Sequence, residues 1–295
     1  MANQAAPAYV YPQQLIREEK FRRIREHQAQ ISTQRRMKSA MAAGAAAPLN
    51  LLAQGDSWFD YPFPLPVVDQ SDIVAHLRRL PGVTPLVMSL AHYGEAAEDM
   101  MGVKKLHELE DQLEHPDLNG KYDAILFSGG GDDLAGDQFR LWLNPAAAVA
   151  SNPAQAFNLP RLDAILEVVE AGYEDLIALR DSIDATIPIF AHSYDFAQPD
   201  GSHVPCAGPW LKPGFDDRGW ADVNVNAGIV RDLLERFASL LDNLEQHHAN
   251  FIHVRTQGTL ASGDWANELH PTPDGFAAIT TKIVAALRTR FSGRI

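Results

Sequence analysis

The sequence predicts an α/β domain in which a parallel sheet of about five strands lies between two layers of helices, with a helical arm before it. Three observations predict this arrangement. Short apolar runs alternate with longer helical stretches from residue 48 onward. Most of these runs are almost continuously apolar, which is typical of parallel strands buried on both faces. A basic stretch of different composition precedes them.

Residues 1–47 are interpreted as the arm, a helix followed by an Ala-rich linker. Residues 13–42 contain no Gly or Pro, and their few apolar side chains predict a weakly amphipathic helix. Residues 17–38 hold eight basic and three acidic residues, a net charge of +5, so the rest of the chain carries −18. We therefore expect the arm to lie on the acidic body or on a sister subunit of a homo-oligomer. Nucleic acid is not an expected partner, because the acidic body repels polyanions.

Residues 48–295 are interpreted as a single catalytic domain. The expected strands are residues 49–53, 85–91, 124–128, 188–192 and 251–255. The expected helices are residues 72–80, 96–113, 162–182, 226–247 and 273–291. Residues 138–159 and 196–222 are rich in Pro, Gly, Asn and aromatic side chains, and such insertions usually form lids or substrate-facing loops.

Composition restricts the class of protein. A hydrophobic content of 46% and a charged content of 21% are those of an ordinary globular protein. A single cysteine, Cys206, excludes an internal disulfide framework and a multi-cysteine zinc site, and it fits a reducing compartment. No secretory signal is recognised, and no run approaches the roughly 18 apolar residues of a membrane span. These features predict a cytoplasmic protein with no membrane span.

Four short blocks each follow an expected strand. Ser57 lies in Gly-Asp-Ser after the first, Gly94 follows the second, Asp132 lies in Gly-Gly-Asp-Asp after the third, and His270 follows the fifth. Because the carboxyl ends of parallel strands meet at one edge of a sheet, these residues are expected to lie together. Acyl transfer by a serine needs a base and pre-aimed donors for the oxyanion. Ser57 is the candidate nucleophile and His270 the candidate base, and the backbone N–H groups of Ser57 and Gly94 are the candidate oxyanion donors.

Three better-known motifs are excluded by spacing. Phe59 stands where the nucleophile elbow Gly-x-Ser-x-Gly needs glycine. Asp111 stands where the zinc motif His-Glu-x-x-His, beginning at His107, needs its second histidine. The run Gly129 to Gly131 lacks the Gly-Lys-Ser/Thr of a phosphate loop and is followed by two acidic residues, which repel phosphate.

The four blocks resemble those of the SGNH (GDSL-type) hydrolases, which carry Gly-Asp-Ser, a glycine after the second strand, Gly-x-Asn-Asp and Asp-x-x-His. The resemblance covers roughly residues 48–291. It implies a three-layer, doubly wound sheet of the flavodoxin-like kind. It also implies that Ser57 is the nucleophile, that His270 is the base, and that Ser57 and Gly94 are oxyanion donors. No metal or organic cofactor is implied.

Two positions depart from the family pattern. Asp132 stands where the family has the donor Asn, and Asn267 stands where it has the Asp of Asp-x-x-His. Asn267 can accept the imidazole N–H but cannot stabilise an imidazolium as a carboxylate does, which leaves Asp264 as the alternative partner of His270. An ionised Asp132 cannot donate to an oxyanion. It is therefore protonated, turned away, or a helix cap.

The predicted function is hydrolysis of a small-molecule carboxylic ester through an acyl-serine intermediate. Two alternatives remain open: transfer of the acyl group to a hydroxyl acceptor, and an SGNH-fold binding protein with impaired catalysis that uses the arm as its interaction element. Tyr194 and Asp195 follow the fourth expected strand and are either pocket walls or loop packing. An aromatic group is also expected around the pocket mouth: Trp58, Phe59, Tyr61, Phe63, Trp210 and Trp220.

Overall fold

A five-stranded parallel sheet forms the centre of the molecule, as predicted. The computed structural model describes residues 12–40, 47–61, 71–203 and 208–295. The strands are β1 (Asn50–Gly55), β2 (Leu86–Ser89), β3 (Ala124–Ser128), β4 (Ile189–His192) and β5 (Phe251–Val254). Their order across the sheet is β2-β1-β3-β4-β5 and every pair is parallel. This is the flavodoxin-like order, in which ligands bind at the carboxyl edge where the strand order reverses.

All five predicted strands are present. They could be recognised in the sequence because they are buried. All residues of β1, β3 and β4 are buried, so an almost continuous apolar run is the only pattern those strands tolerate. The polar members of these strands are Asn50, Gln54, Ser128 and His192. The last two lie at the carboxyl ends of β3 and β4.

The described residues form ten α-helices around this sheet. Helix α10 packs on α2 and on β5, whereas α7 packs on α3, α4, α6 and α9, which gives the expected three layers. The helices are α1 (Pro12–Ala40), α2 (Ile73–Leu77), α3 (Ala97–Met100), α4 (Val103–Glu114), α5 (Pro116–Asn119), α6 (Gly131–Leu134), α7 (Leu159–Asp184), α8 (Lys212–Asp217), α9 (Val223–His247) and α10 (Pro273–Arg290).

One predicted helix is divided in the structure. Residues 96–113 were expected to form a single helix, but the chain breaks between α3 and α4 at Gly102, whose φ of −60° and ψ of 144° are extended. Glycine is a poor helix residue, and here it starts α4 instead of continuing α3. Two other helices are longer than expected, because Asp222 caps the first turn of α9 and Pro160 occupies the first turn of α7.

The two long insertions contain little regular structure, as predicted. Short 3-10 turns at Asp137–Leu141, Ala146–Val149 and Pro153–Gln155 fill the first. The second contains α8 and the segment from residue 208 to 211 that precedes it. A further 3-10 turn at Ser262–Asp264 opens the loop that carries His270.

Helix α1 lies against the body of the molecule. It packs along the edge strand β2 and on α5, and it buries His27 and Ile31. The Arg23 guanidinium donates to the Ala91 carbonyl at 2.9 Å and to the Asp60 carboxylate at 2.7 Å. The predicted contact between arm and acidic body is therefore present. The division of the chain at residue 47 stays a prediction, and most of the expected linker lies outside the described residues.

None of the helices in the described part of the chain is both long and apolar enough to cross a membrane. The cytoplasmic location stays a prediction.

Candidate active site

The Gly-Asp-Ser turn lies at the carboxyl edge of the sheet, as predicted. Gly55 ends β1 and pairs with Ser128 at the end of β3, and the Asp56 N–H donates to the Ser128 carbonyl at 3.0 Å. A Cβ on Gly55 would lie 2.8 Å from the Ser128 Cβ and 2.9 Å from the Phe59 ring. Only glycine permits this close approach of the two strands, and the approach fixes where Ser57 leaves the sheet.

Ser57 and His270 form a hydrogen bond. The Ser57 Oγ lies 2.8 Å from His270 Nε2, although the two residues are 213 positions apart. His270 Nδ1 lies 2.9 Å from Asn267 Oδ1, which is an acceptor only, so Nδ1 carries the proton and donates. Nε2 is then free to accept the Ser57 hydroxyl proton. This tautomer follows from the hydrogen-bond network.

Asn267, and not Asp264, contacts the His270 ring. It is buried, and its Oδ1 also accepts from the backbone N–H groups of His270 at 2.9 Å and Leu269 at 3.1 Å. The Asp264 carboxylate instead accepts from the Ala261 N–H at 2.8 Å and closes a 3-10 turn near the surface. Of the two predicted partners, the structure therefore brings Asn267 to the imidazole and Asp264 to a turn.

Burial keeps His270 neutral. The ring is almost fully buried, against Tyr61 at 4.8 Å and Trp210 at 5.3 Å between ring centroids, and this burial lowers the His270 pKa to about 3. A histidine accepts a proton only in its neutral form. His270 is therefore in the base form at any pH well above 3.

Asp132 and Gly94 are placed differently. Asp132 lines the same cavity as Ser57 and His270, and its Oδ2 is buried without a hydrogen-bond partner among the described residues. Burial, followed by the charges of Asp56 and Asp133, raises the Asp132 pKa well above its ordinary value, so this carboxyl favours the neutral acid that can donate. Gly94 is exposed after β2, with a φ of +74°, and is not among the residues that line the cavity.

Asp133 does not cap the short helix α6 in which it lies. Its Oδ2 accepts from the Ala97 N–H at 2.7 Å, at the first residue of α3. It therefore links two helices below the edge of the sheet.

A buried network beneath Ser57 was missed in the sequence. The Asp56 carboxylate accepts from Tyr194 Oη at 2.5 Å, from Ser128 Oγ at 2.8 Å and from the Trp58 N–H at 2.9 Å. Burial raises the Asp56 pKa to about 6. Tyr194 Oη also accepts from the Gly131 N–H at 3.1 Å, so one hydroxyl connects the Gly-Asp-Ser turn to the turn that carries Asp132. The aspartate of Gly-Asp-Ser was the available signal.

A small apolar cavity opens beside Ser57. Its volume is about 60 Å³. Besides the polar residues of the site, its walls consist mainly of aliphatic side chains, namely Leu134, Ala135, Ala197, Leu211, Val230, Leu233, Leu234 and Leu269. Tyr194 and Asp195 are also wall residues, as one of the two interpretations predicted. The cavity suits an apolar group held next to the serine hydroxyl.

The expected aromatic residues separate into three groups. Trp58 lines the cavity, and Tyr61 and Trp210 pack against His270. Phe59 and Trp220 are buried elsewhere. Phe59 packs against the His192 ring, and the Trp220 indole N–H donates to the Asn144 carbonyl. Two residues singled out in the sequence, Phe63 and Cys206, lie outside the described residues. In residues 12–40, 47–61, 71–203 and 208–295, no set of three or more His, Cys, Asp or Glu side chains is arranged to hold a metal ion.

The same architecture is found in a solved structure. A lipase from goat rumen metagenome superposes with a TM-score of 0.50 at 14% sequence identity, over 81% of this chain and 97% of that one. The chain has the fold of that lipase. A GDSL-like lipase from Parabacteroides merdae has a TM-score of 0.42 at 16% identity, over 83% and 98% of the two chains. A catalytic mutant of an acetylxylan esterase from Geobacillus stearothermophilus has a TM-score of 0.48 at 14% identity, over 81% and 94%.

Sequence comparison adds nothing to this likeness. No protein-family model and no curated protein matches the chain. The fold implied by the resemblance to SGNH hydrolases is confirmed, because the strand order and the flanking helices are present. The N-terminal helix, which was predicted from composition and lies outside the resemblance, is present as well.

The Nδ1 hydrogen bond of His270 gives a first prediction. Asn267→Leu should remove the sheltered imidazole Nδ1 proton from the NMR spectrum of protein labelled with ¹⁵N-histidine, because that proton loses its acceptor. Asp264→Asn is the matched control and should leave the signal in place. If Asp264→Asn abolishes the signal while the protein remains folded, Asp264 and not Asn267 holds the ring.

Proposed function

We propose that this protein is a carboxylic ester hydrolase that acts through an acyl-serine intermediate. The observation that carries the proposal is the hydrogen bond from Ser57 Oγ to a neutral His270 Nε2 whose other nitrogen donates to Asn267. This is the relation between nucleophile, base and orienting group that serine hydrolases of unrelated folds use. Its position at the carboxyl edge of the sheet is the usual place for a site in this fold class.

The proposed reaction has two halves. Ser57 Oγ attacks the ester carbonyl while His270 takes its proton, and the resulting tetrahedral oxyanion collapses when His270 passes that proton to the leaving alcohol. The acyl group is then bonded to Ser57. In the second half His270 takes a proton from water, the hydroxide attacks the acyl-serine, and the proton returns to Ser57 as the carboxylic acid leaves.

The oxyanion has three candidate donors in this proposal. They are the backbone N–H groups of Ser57 and Gly94 and the neutral carboxylic acid of Asp132. Of the three residues, Ser57 and Asp132 line the cavity and Gly94 does not. Asp132 lines the cavity beside Ser57 and its pKa is raised, which favours the donating form. It would fill the role that the amide of Asn has in the family pattern, with a proton that is lost at high pH.

The substrate is proposed to be a small ester with a short apolar acyl group. The cavity of about 60 Å³ is less than half the roughly 150 Å³ of a protein cavity that holds benzene. Acyl groups of a few carbons fit such a space. The names of the structural neighbours, lipase and acetylxylan esterase, agree with an ester substrate.

Membership of the SGNH hydrolases is part of the same proposal. The Gly-Asp-Ser turn and the late histidine support it, and the neutral Asn267 and the acidic Asp132 are its two departures. A catalytically impaired binding protein is less favoured, because such a protein has no need of a serine and a histidine held 2.8 Å apart. Transfer to a hydroxyl acceptor differs only in the second half-reaction, and acceptor-dependent product formation would reveal it.

Labelling of Ser57 tests the proposed nucleophile. A fluorophosphonate should modify Ser57 stoichiometrically, as mapped by peptide mass spectrometry. Ser57→Ala should abolish labelling and lower the turnover of short-chain p-nitrophenyl esters by more than about 10³-fold. Ser71→Ala is the matched control, because Ser71 Oγ lies 3.0 Å from His76 Nε2, and it should behave as wild type. Labelling that persists on another serine in Ser57→Ala would refute the assignment.

The pH profile tests Asp132. Activity should fall as pH rises through the raised Asp132 pKa, because the acid must be neutral to donate, and it should fall at the acid end as His270 is protonated. Asp132→Asn should preserve the rate and abolish the alkaline fall, because an amide donates at every pH. The control variant Asp137→Asn, at an exposed carboxylate five residues further along the chain, should retain the alkaline fall in activity. An unchanged alkaline limb in Asp132→Asn would contradict the role of Asp132.

A further inference from the structure

A segment of the second long insertion covers His270. Trp210 packs edge-on against the imidazole, with 5.3 Å between ring centroids and 75° between the planes. The next residue, Leu211, is buried and forms part of the wall of the apolar cavity. Two consecutive residues therefore shield the base and shape the pocket beside the serine. We call residues 208–212 the cover segment.

Glu268 holds the cover segment from below. This fully buried residue lies between Asn267 and His270, and its carboxylate accepts from four backbone N–H groups. The Oε2 atom accepts from Trp210 at 2.6 Å and Leu211 at 2.8 Å, and the Oε1 atom accepts from Gly201 at 2.9 Å and Lys212 at 3.0 Å. The loop that carries the base is in this way bonded directly to the segment that covers it.

The Glu268 carboxylate is hydrogen-bonded by backbone N–H groups. A buried carboxylate is costly unless its lone pairs are matched by donors, and hydrogen bonds from N–H groups to an ionised oxygen are stronger than neutral ones. Lys212, the cationic residue of the cover segment, directs its ammonium to Asp216 at 2.6 Å. Glu268 therefore receives the backbone of Lys212 and not its charge. A carboxylate placed this way orders a segment of chain.

We propose that Glu268 is a positioning residue, which keeps Trp210 and Leu211 closed over His270 and the acyl cavity. The inference rests on the proposed function for its effect on rate, and on geometry alone for its effect on His270. If Glu268 releases the cover segment, water reaches the imidazole and the cavity loses one apolar wall. The first change makes the charged form of His270 easier to reach, and the second weakens the selection of apolar acyl groups.

Among the groups that face His270, Trp210 is the one whose release would expose the ring to water. Ser57 contacts the ring from the turn after β1, Asn267 from its own loop, and Tyr61 from the chain before α2. The carboxyl groups of Asp56, Asp132 and Asp195 line the same cavity. The cause of the low His270 pKa is burial of the ring. Opening the cover should therefore raise this pKa towards its ordinary value.

Glu268→Gln is the direct test, because it keeps size and shape and changes only the donor pattern. In either orientation of the amide, its NH₂ group faces two backbone N–H donors that the carboxylate accepted, so one pair loses its acceptor. Trp210→Ala is the second variant, which removes the shield itself without touching Glu268. Glu245→Gln is the matched control: its Oε1 accepts from the His253 N–H at 3.0 Å, outside the cavity.

The measurement is the His270 pKa by NMR titration, together with the pH dependence of Ser57 phosphonylation and the ratio of kcat/KM for butyryl over acetyl p-nitrophenyl esters. Glu268→Gln and Trp210→Ala should each raise the His270 pKa by at least about one unit. They should move the acid limb of phosphonylation upward by the same amount and lower the butyryl preference several-fold. Glu245→Gln should match wild type in all three.

Each outcome decides the proposal. If Glu268→Gln only melts at a lower temperature while the His270 pKa and the acyl preference stay at wild-type values, Glu268 is structural and the proposal fails. If Glu268→Gln does not fold, Trp210→Ala decides, and wild-type values there overturn the proposal. Because the NMR titration needs no turnover, a protein that never labels at Ser57 would refute the proposed hydrolase and still test the cover segment.

Discussion

The arrangement of the site depends on one buried carboxylate, Asp56. Its charge has been removed from water, and it is satisfied only if β1, β3 and the loop after β4 meet in one register. Ser128 reaches it from the end of β3, Tyr194 from beyond β4, and the Trp58 N–H from its own turn. The loss of any of these leaves a buried charge short of a donor, which is far costlier than the loss of an ordinary surface contact. The turn that presents Ser57 is thereby locked to the sheet.

The direction of the hydrogen bonds in this network is fixed. The Tyr194 N–H donates to His192 Nδ1 at 3.2 Å, so His192 Nε2 carries the proton and donates to Ser128 Oγ at 2.8 Å. Ser128 in turn donates to Asp56. Burial lowers the His192 pKa to about 3, which keeps that ring neutral and the chain of donors intact. Tyr194 adopts a φ of +58°, a strained conformation that surrounding contacts must hold.

The two departures from the family pattern exchange charges across the site. An acid, Asp132, stands where the SGNH pattern has Asn, and an amide, Asn267, stands where that pattern has Asp. Both changes favour neutral groups in the resting site: a buried imidazole without a carboxylate stays unprotonated, and a buried aspartate near Asp56 holds its proton. In the proposed mechanism the imidazolium of His270 then has no carboxylate beside it, which lowers its stabilisation in the transition state. The hydrogen bond that the neutral Asp132 donates to the oxyanion would offset part of that loss.

Much of this could be predicted from the sequence, and the remainder depends on long-range geometry. The strands were predictable because parallel strands buried on both faces tolerate only apolar runs, and the site because such strands end at one edge. The break at Gly102 was missed because helix periodicity continues across it. Asp56 and Glu268 were missed for a shared reason: their partners are mostly backbone N–H groups or residues more than 50 positions away, which leave no local pattern.

The most direct test of the central claim is to trap the acyl-enzyme during turnover. A short-chain p-nitrophenyl ester is mixed with the protein, the reaction is quenched in acid within a single turnover, and the peptides are mapped by mass. The proposed mechanism predicts one acyl group on the peptide that contains Ser57, formed at least as fast as steady-state turnover. Turnover without an acylated Ser57, or with the acyl group on another residue, would contradict it.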